Sequence, residues 1–361
     1  MRPQDKQCII FTGGGSAGHV IPNIPLIKKL QIEGWETFYI GSKDGIEKEI
    51  INKIPNVSYK VISSGKLRRY FSWQNFIDPF KVFYAIIQAF SWCLKIRPQV
   101  VFSKGGFVAF PLVIAAWLNR IPVIAHESDL TPGLANKLSF PFVKRICVTF
   151  PETKNILKNK KKVIITGTPI REELFSGNVS KGLEICGFTA DKTVILFIGG
   201  GLGSEIINKI VRDLLPKLLP DFQIIHLCGK GKGDEKLKLS GYKQFEYLHK
   251  ELADIIACTN IIVSRAGANS IYEILTLRKP HVLIPLSLKA SRGDQINNAK
   301  YFAKQGLSEV IFEEELTADI LYSKIVWLKE HEHEIIERLA AIEKKDSIKL
   351  ICDIITKVNF A

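Results

Sequence analysis

The chain repeats one pattern along its length, a short apolar run that ends near Gly, Ser or Thr and is followed by a stretch with helical periodicity. In the first part of the chain the runs are CIIFTGG, ETFYIGS, QVVFSKGG, IPVIAHES and RICVTF. After KVIITGTP the pattern begins again with TVILFIGGG, FQIIHLCGKG, NIIVSRAG and PHVLIPL. Uniformly apolar strands that alternate with helices are typical of parallel sheets covered on both faces. The sequence therefore predicts an α/β protein with two doubly wound domains and a ligand site in the cleft between them.

The length agrees with this division, because 361 residues exceed what one hydrophobic core usually serves. We expect an N-terminal domain in residues 1–166 and a C-terminal domain in residues 167–340, joined near residues 167–171. Periodicity continues through residues 330–360, and we expect the end of the chain, residues 341–361, to form a helix that packs on the N-terminal domain. The seven cysteines form no CxxC pair, which favours reduced, buried thiols and predicts no metal site.

The net charge of +14 belongs entirely to the first half of the chain. Residues 1–165 contain 24 Lys and Arg against 10 Asp and Glu, whereas the remaining residues contain 26 of each. Such an asymmetry indicates an anionic partner for this half, either nucleic acid or a membrane surface. Ordinary solubilising charge is the alternative. No uncharged window approaches the roughly 20 apolar residues of a membrane span.

The first apolar run continues as CIIFTGGGSAGHV, which places Gly13, Gly14, Gly15 and Gly18 between a strand and a helix. Glycine lets backbone N–H groups approach a ligand closely, and a helix N-terminus favours phosphate. His19 follows these glycines. A histidine near a helix N-terminus tends to stay neutral and can accept a proton. The alternatives are a turn built for tight packing and a histidine that merely starts a helix.

A second glycine cluster, GGGLGS at residues 199–204, follows the first strand of the other half. Two anion-binding loops suit an enzyme that handles two phosphate-bearing molecules. A dinucleotide dehydrogenase would also need an acidic residue at the end of its second strand, where this chain has FYIGSKDG.

Further polar residues follow other strands of the predicted sheets. SRAGANSIYEIL places Glu273 inside a helix after a strand, where a carboxylate can accept ribose hydroxyls. RGDQINNA offers Gln295, Asn297 and Asn298 for sugar hydroxyls, with helix capping as the alternative for these residues. In the N-terminal half HESDLTPGLANK and SKGGFVAF follow two strands, at the sheet edge where ligands bind. They contribute His126, Glu127, Asn136, Lys137, Lys104, Gly105 and Gly106.

One segment of the N-terminal half interleaves basic and aromatic side chains, namely Lys66, Arg68, Arg69 and Lys81 with Tyr70, Phe71, Trp73, Phe76, Phe80 and Phe83. Basic residues attract anionic lipid, at about 1 kcal/mol each, while aromatic rings enter the headgroup layer. Single-stranded nucleic-acid binders also combine these residue types, but no RNP-like pattern accompanies the segment. An amphipathic core helix with a solvated basic end is the remaining alternative.

These motifs, in this order, resemble the MurG family of glycosyltransferases over nearly the whole chain: GGGSAGHVIPN, IGSKDGIEKEI, SSGKLRRYFSWQNFIDPFKV, SKGGFVAFP, HESDLTPGLANK, GTPIREE, LCGKG, SRAGANSIYEIL and ASRGDQINNA. The resemblance implies transfer of N-acetylglucosamine (GlcNAc) from UDP-GlcNAc to undecaprenyl-pyrophosphoryl-MurNAc-pentapeptide, called lipid I, in peptidoglycan synthesis, and hence a role in cell shape and division. It implies a GT-B fold in which the N-terminal domain binds the acceptor and the C-terminal domain the donor. It further implies a peripheral protein on the cytoplasmic face of the bacterial inner membrane, which contacts anionic lipids, binds no nucleic acid and holds no cofactor tightly.

The resemblance also suggests roles for individual residues. His19 and Glu127 correspond to candidates for the base that accepts the proton of the attacking hydroxyl. The expected donor site comprises Ser16, Ala17, Gly18, Arg171, Gly201, His249, Ala268, Asn269, Ser270, Ile271, Tyr272, Glu273 and Gln295. The expected surroundings of the acceptor diphosphate are Gly14, Gly15, Lys104, Gly105, Gly106 and Asn136. Membrane contact is expected from Lys66, Arg68, Arg69, Tyr70, Phe71, Trp73, Phe76 and Phe80.

Two positions depart from the pattern of the family. Gly201 stands where members usually have Ser, so backbone amides and Ser204 would have to contact the donor diphosphate. Asp129 stands where many members have Asn. The resulting hypothesis is an inverting transfer with His19 as base and Glu127 as second candidate. The alternatives are another GT-B enzyme, such as a lipid glycosyltransferase or a UDP-GlcNAc 2-epimerase, a non-catalytic scaffold for nucleic acid or membrane, and an oxidoreductase.

Overall fold

A computed structural model describes residues 7–63, 74–201, 203–343 and 345–358. The chain divides into a first unit, residues 1–171 with 345–361, and a second unit, residues 172–344. The first unit extends to Arg171 instead of ending at the expected residue 166. The reason is local packing: the carbonyl of Gly167 accepts a hydrogen bond from His126 Nε2 at 2.9 Å, and Ser347 Oγ lies 2.5 Å from where a Cβ on Gly167 would be.

The first unit is built on a parallel sheet of apolar strands, which confirms the predicted pattern. The described strands are β1 (Cys8–Thr12), β2 (Glu36–Gly41), β3 (Val57–Val61), β4 (Val100–Ser103), β5 (Val123–Glu127), β6 (Arg145–Val148) and β7 (Val163–Ile165). Their order is β3-β2-β1-β4-β5-β6-β7, and all pairs are parallel. Strands β1, β4 and β5 are buried over their whole length because helices cover both faces.

Helices connect successive strands of this sheet. They are α1 (Asn23–Ile32), α2 (Ile46–Ile51), α3 (Gln74–Ile96), α4 (Ala109–Leu118), α5 (Leu134–Ser139) and α6 (Thr153–Ile156), with short 3-10 turns at Ala17–His19, Phe140–Phe142 and Lys160–Lys162. Helix α1 and its neighbours cover one face of the sheet, whereas α3 and α4 pack on each other and on the opposite face.

The second unit repeats the architecture. Its described strands are β8 (Thr193–Ile198), β9 (Phe222–Leu227), β10 (Tyr242–Phe245), β11 (Ile261–Ser264), β12 (His281–Leu283) and β13 (Glu309–Val310), in the parallel order β10-β9-β8-β11-β12-β13. Its helices are α7 (Val179–Cys186), α8 (Glu205–Leu218), α9 (Leu252–Cys258), α10 (Ala268–Thr276), α11 (Asp294–Lys304), α12 (Ala318–Glu330) and α13 (Glu332–Ala340), with 3-10 turns at Glu172–Phe175 and Glu313–Glu315.

The end of the chain returns to the first unit. Helix α14 (Ser347–Lys357) packs against α1 and buries Ile351 and Ile355 in the core beside β1. In its described part, the periodic stretch after Glu330 therefore forms two helices, α13 and α14. Helix α13 ends at Ala340, and the chain then passes from the second unit to the first. The expected terminal helix, residues 341–361, begins only at Ser347.

The strand order reverses at one place in each sheet, between β1 and β4 and between β8 and β11. In open parallel sheets the loops on either side of such a reversal diverge and leave a crevice at the carboxyl edge of the strands. The loops after β1 and β4, and those after β8 and β11, are therefore the places where the fold itself favours ligand binding.

Two simpler expectations concern the whole chain. All seven cysteines are free and buried, as predicted. Among the described residues, no helix reaches the combination of length and apolar character that a membrane span needs.

Candidate active site

The loop after β1, residues 13–19, is called here the first glycine loop. Side chains hold each of its opening glycines by the backbone. Tyr39 donates its hydroxyl proton to the carbonyl of Gly13 at 2.6 Å, and His19 Nδ1 lies 3.0 Å from the carbonyl oxygen of Gly14. The N–H of Gly15 donates to Glu47 Oε2 at 3.3 Å. The start of this loop is thus fixed by the protein itself.

Packing also explains why several of these residues are glycines. A Cβ on Gly14 would lie 2.7 Å from the carboxyl carbon of Glu47, and one on Gly106 would lie 2.2 Å from the carbonyl oxygen of Gly14. The N–H of Gly14 donates to the carbonyl of Gly105 at 3.3 Å. Because the amides of Gly14 and Gly15 are both engaged, a diphosphate could bind through them only by replacing these bonds. The exposed part of the loop is Gly15, Ser16 and Gly18.

His19 lies at the end of the 3-10 turn Ala17–His19, just before α1 begins at Asn23. Its ring is half-buried, and Nδ1 also lies 3.1 Å from Ser16 Oγ. A carbonyl oxygen can only accept, so the contact with Gly14 assigns the proton of a neutral ring to Nδ1. Nε2 is then the basic nitrogen, and this is the tautomer that a general base requires.

Lys104 follows β4 and lies below the surface, with 1% of its area exposed. Its ammonium donates to His126 Nδ1 at 2.8 Å and to Ser128 Oγ. Burial lowers the pKa of Lys104 to about 8, while the charges of Glu127 and Asp129 act in the opposite direction. Burial and the adjacent ammonium hold the pKa of His126 well below its usual value, so this histidine is neutral. Lys104 is therefore placed to supply positive charge near the loop but not to reach a ligand directly.

Glu127, at the end of β5, is buried and accepts hydrogen bonds from its own loop. Its Oε1 accepts the N–H of Asp129 at 3.0 Å, and its Oε2 accepts the N–H of Gly133 at 3.0 Å and Asn136 Nδ2 at 2.9 Å. The carboxylate therefore shapes the segment between β5 and α5. The side chain of Asn136 in turn lies against Gly105, where a Cβ would be 2.7 Å from Asn136 Oδ1.

The loop after β8, residues 199–204, is called here the second glycine loop. Gly200 and Gly201 are exposed, and a Cβ at either would meet nothing within 4 Å. By contrast, Gly203 has φ +70° and packs on the next loop, where its Cβ would lie 1.9 Å from the carbonyl oxygen of Cys228. Gly200 and Gly201 thus leave open space beside them, and helix α8 begins a few residues later, at Glu205.

The end of the second glycine loop is held by a buried ion pair. Arg265, after β11, donates through Nη2 to Ser204 Oγ at 2.6 Å and pairs with Glu313 Oε1 at 2.6 Å. Its Nη1 donates to the carbonyl of Ile284 at 3.2 Å. Burial alone would raise the pKa of Glu313, but hydrogen bonds from the N–H of Ser287 and from Arg265 lower it below its usual range. Ser204 also caps α8, so its oxygen accepts hydrogen bonds from the N–H of Ile207 and from Arg265 within the protein.

The predicted donor residues of the second unit lie at the carboxyl edge of its sheet, whereas Ser16, Ala17 and Gly18 belong to the first glycine loop. Helix α10 carries Ala268, Asn269, Ser270, Ile271, Tyr272 and Glu273, of which Ala268 and Ile271 are buried in the core. Gln295, at the start of α11, accepts the N–H of Leu286 at 3.1 Å through Oε1, which leaves its NH2 group to donate to a ligand. Asn298 is fully buried and donates to the carbonyl of Ala266, so it binds α11 to the loop before α10.

His249 lies on an exposed loop after β10, where its ring is tilted by 58° to that of Tyr247, with the two centroids 4.5 Å apart. Arg171 is half-buried at the end of the first unit. Of the expected membrane contacts, Lys66, Arg68, Arg69, Tyr70, Phe71 and Trp73 lie outside the described residues. Phe76 lies in α3, and Phe80, one turn further on, exposes 76% of its area.

The structure thus gathers most of the candidates at two sheet edges, one per unit, and adds residues that sequence reasoning missed. Glu47 and Tyr39 support the first glycine loop, and Arg265 with Glu313 supports the second. Glu47 lies in the motif IGSKDGIEKEI, where a carboxylate among glycines after the second strand was a usable signal. Tyr39 and Glu313 gave no comparable signal, because their partners are distant in sequence.

Comparisons with known proteins agree with this architecture. Residues 9–148 match the glycosyltransferase family 28 N-terminal domain, and residues 194–351 match the glycosyltransferase family 28 C-terminal domain. The crystal structure of Acinetobacter baumannii MurG superimposes with a TM-score of 0.75 at 23% identity and covers 97% of this chain and 99% of that one. This likeness confirms the predicted fold class, two Rossmann-like parallel-sheet domains of the GT-B type.

Relatives of known name are more similar still. A protein of Legionella pneumophila (strain Paris) is 54% identical over 348 residues, 96% of each chain, and is named UDP-N-acetylglucosamine–N-acetylmuramyl-(pentapeptide) pyrophosphoryl-undecaprenol N-acetylglucosamine transferase. A protein of Clostridium botulinum (strain Alaska E43 / Type E3) with the same name is 56% identical over 353 residues, 98% of each chain. The chain therefore belongs to the MurG family of N-acetylglucosamine transferases, within glycosyltransferase family 28.

Proposed function

We propose that this chain transfers GlcNAc from UDP-GlcNAc to the 4-hydroxyl of MurNAc in undecaprenyl-pyrophosphoryl-MurNAc-pentapeptide, with inversion at the anomeric carbon. The observation that carries the proposal is the identity of more than half of all residues, over nearly the whole chain, to transferases that are named for this donor and acceptor. The product is lipid II, the disaccharide form of the lipid-linked precursor.

His19 is the proposed base. With its proton on Nδ1 it presents Nε2 as acceptor for the proton of the attacking hydroxyl, and its ring is oriented by the carbonyl of Gly14. Glu127 is the weaker candidate, since both its oxygens already accept N–H groups of its own loop and only 4% of its area is exposed. We therefore propose that Glu127 supports the segment between β5 and α5.

The acceptor diphosphate is proposed to lie beside the loops that contain Gly14, Gly15, Gly105 and Gly106, next to Asn136. The charge of Lys104 would attract it from below without a direct contact, because a buried charge acts over several ångströms in a medium of low dielectric. Since the pKa of Lys104 is about 8, the side chain is mostly protonated at neutral pH.

The donor is proposed to bind the second unit. Open amides of the second glycine loop and the N-terminus of α8 would stabilise the charge that grows on the departing diphosphate. Glu273 would accept the ribose hydroxyls, the NH2 of Gln295 would donate to the sugar, and the segment that ends at His249 would contact uracil. Ser16, Ala17, Gly18 and Arg171 complete the proposed donor contacts. With these groups in place the reaction requires no tightly bound cofactor.

A peripheral location on the cytoplasmic face of the membrane is part of the proposal. One face of α3 exposes large apolar side chains at helical spacing, Phe80, Phe83, Tyr84, Ile87 and Leu94, and Trp117 of the adjacent α4 exposes 51% of its area. Lys81 and Lys95 are exposed on the same helix. Such a combination suits the headgroup layer of an anionic membrane.

The catalytic proposal is tested by incubating the purified protein with labelled UDP-GlcNAc, first alone and then with lipid-linked MurNAc-pentapeptide. We expect label in the lipid product and release of UDP only when the acceptor is present. Conversion of UDP-GlcNAc without acceptor would instead indicate an epimerase. If the protein neither transferred the label nor bound UDP, the transferase proposal would be refuted.

The membrane proposal is tested by sedimentation with phosphatidylcholine vesicles that contain or lack phosphatidylglycerol. Phe80→Glu should weaken binding to the anionic vesicles about tenfold or more, because a buried Phe contributes roughly 1.5–3 kcal/mol. Ile32→Glu is the matched control, since Ile32 exposes 82% of its area on α1. Equal binding of both variants and the wild type would exclude this face of α3.

A further inference from the structure

Glu47 is a buried carboxylate that the proposed reaction leaves without a role. It lies in α2, with 1% of its area exposed. Its Oε1 accepts the N–H of Ser42 at 3.1 Å and the hydroxyl of Ser42 at 2.5 Å, and its Oε2 accepts the N–H of Gly15 at 3.3 Å. Removing a carboxylate from water is expensive, and the donors that hold Glu47 among the described residues are neutral, so its burial requires a reason.

The site around Glu47 is made by glycines that belong to two loops or flank them. A Cβ on Gly14, at the end of β1, would lie 2.7 Å from the carboxyl carbon, and a Cβ on Gly41, at the end of β2, would lie 2.9 Å from Cγ. A Cβ on Gly45, before α2, would lie 2.3 Å from Oε1. The first glycine loop and the loop after β2 therefore converge on this one side chain.

The Gly14–Gly15 peptide connects Glu47 to His19. The N–H of this peptide unit, which belongs to Gly15, donates to Glu47, and its carbonyl, which belongs to Gly14, accepts from His19 Nδ1. From this geometry we infer that Glu47 is a positioning residue, which acts through the Gly14–Gly15 peptide to orient the His19 ring and keep its proton on Nδ1. The inference rests on the proposed function, in which His19 is the base.

Two physical effects support this role. Gly15 has φ +81°, and a Cβ there would meet nothing within 4 Å, so side-chain packing does not hold the Gly15 end of this peptide. Gly105 and Gly106 contact its Gly14 end, and two hydrogen bonds at opposite edges of the peptide, one from its N–H and one to its carbonyl, fix its orientation. In addition, a carboxylate that accepts from the N–H polarises the peptide and makes its carbonyl a stronger acceptor for the imidazole N–H. Glu47 thereby does through a peptide what an orienting carboxylate does by direct contact with a catalytic histidine.

The two oxygens of Glu47 allow this role to be separated from simple support of the fold. Among the described residues Oε1 accepts from Ser42, in the loop after β2, whereas Oε2 accepts from Gly15 of the first glycine loop. Ser42→Ala removes a hydrogen bond from Oε1 and leaves the bond to Gly15, so it is the matched control. Glu47→Gln weakens the acceptor whichever way the amide points, and Glu47→Asp retains the charge but shortens the reach to Gly15.

The direct test is nitrogen-15 NMR of the histidine rings in the full-length protein. The chain has seven histidines, and the signals of the His19 ring are identified by their absence from the spectrum of His19→Ala. We expect the wild type and Ser42→Ala to show His19 protonated on Nδ1, and Glu47→Gln and Glu47→Asp to show a mixture of tautomers. An unchanged Nδ1 tautomer in both Glu47 variants would overturn the inference, whatever happens to activity.

Kinetics provide the second test, as a double-mutant cycle. Glu47→Gln should lower kcat about 10- to 100-fold, part of the 100- to 10,000-fold that a general base contributes, with KM for UDP-GlcNAc unchanged. In a His19→Ala background the same substitution should have little further effect. A full additional loss would assign Glu47 to the fold and contradict the inference. If His19→Ala alone left turnover intact, the proposed base would be wrong, while the NMR result would still decide whether Glu47 orients His19.

Discussion

The two glycine loops occupy equivalent places, each directly after the first strand of its sheet, yet the protein treats them differently. In the first loop Tyr39, His19 and Glu47 each bind the backbone of one glycine. In the second loop Gly200 and Gly201 are exposed, and Arg265 holds the end of the loop through Ser204. The comparison teaches that glycine has two uses here. In the first loop it lets side chains contact the backbone closely beside His19, the proposed base, and in the second it leaves residues exposed where the donor diphosphate is proposed to bind.

The largest expected effect concerns His19, the proposed base in the first glycine loop. His19→Ala should lower kcat by about 100- to 10,000-fold and change the affinity for UDP-GlcNAc little, because a base acts on the transition state. Steady-state rates and donor titration measure both quantities. His333→Ala is the matched control, since the side chain of His333 is 90% exposed. Turnover that survives in His19→Ala would remove the distinction drawn between the two loops.

The next effect concerns the support of the second loop. Glu313→Gln removes the charge partner of Arg265 and should destabilise the protein by about 3 kcal/mol at neutral pH, measured by calorimetric unfolding. The pKa of Glu313 is lowered by folding, so its contribution is present above the usual carboxyl pKa and is lost as the pH falls through the folded value. The difference between variant and wild type should therefore shrink below about pH 4.

An exposed ion pair in the same unit is the control for this prediction. Lys217 Nζ lies 2.9 Å from Asp319 Oδ1, and the side chain of Asp319 is 88% exposed. Asp319→Asn should change stability little at either pH, because water and salt screen such pairs. If Asp319→Asn proved as destabilising as Glu313→Gln, the special support of the second loop would be disproved.

Sequence alone predicted the alternation of strands and helices, because a fully buried strand must be apolar throughout and this requirement is local. It also located His19, Glu127, Glu273 and Gln295 on loops and helix starts at sheet edges. It placed the junction of the two domains near residues 167–171, and the first unit extends through Arg171, with the carbonyl of Gly167 bonded to His126. Residues 330–360 show one continuous helical periodicity in the sequence, yet α13 belongs to the second unit and α14 to the first.

The residues that hold the two glycine loops were harder to predict from the sequence than the strands and helices. The sequence left the first glycines open to two interpretations, a loop that binds an anion and a tightly packed turn, and the structure engages the amides of Gly14 and Gly15 within the protein. Glu47 is 32 residues from Gly15, and Ser204 is 61 residues from Arg265. Contacts at such separation depend on the order of strands in the sheet, which periodicity does not reveal. Loops are thus predictable as sites, but the groups that hold them are not.

A pair of alanine substitutions compares the loops directly. Gly14→Ala should destabilise the protein by about 1–3 kcal/mol and lower activity, because its Cβ would lie 2.7 Å from the carboxyl carbon of Glu47. Gly201→Ala should leave stability unchanged or slightly raised, since its Cβ meets nothing within 4 Å. Thermal unfolding and turnover of both variants provide the measurement. Equal destabilisation would show that the second loop is closed as tightly as the first.

The smallest expected effect concerns the position where the family usually has Ser. An open site at Gly201 accepts a serine side chain without steric conflict, so Gly201→Ser should fold like the wild type. Its hydroxyl adds a hydrogen-bond donor beside the proposed donor diphosphate. We expect KM for UDP-GlcNAc to fall about 2- to 10-fold, since a typical hydrogen bond contributes roughly 0.5–1.5 kcal/mol.

Gly200→Ser separates the effect of the hydroxyl from that of the backbone. Its side chain would also meet nothing within 4 Å, but φ at Gly200 is +92°, which residues other than glycine rarely adopt. Gly200→Ser should therefore lose stability while Gly201→Ser does not. If instead Gly201→Ser raised KM, the donor diphosphate would need the space that Gly201 leaves open, and the second loop would bind its ligand by close backbone approach with no room for a side chain.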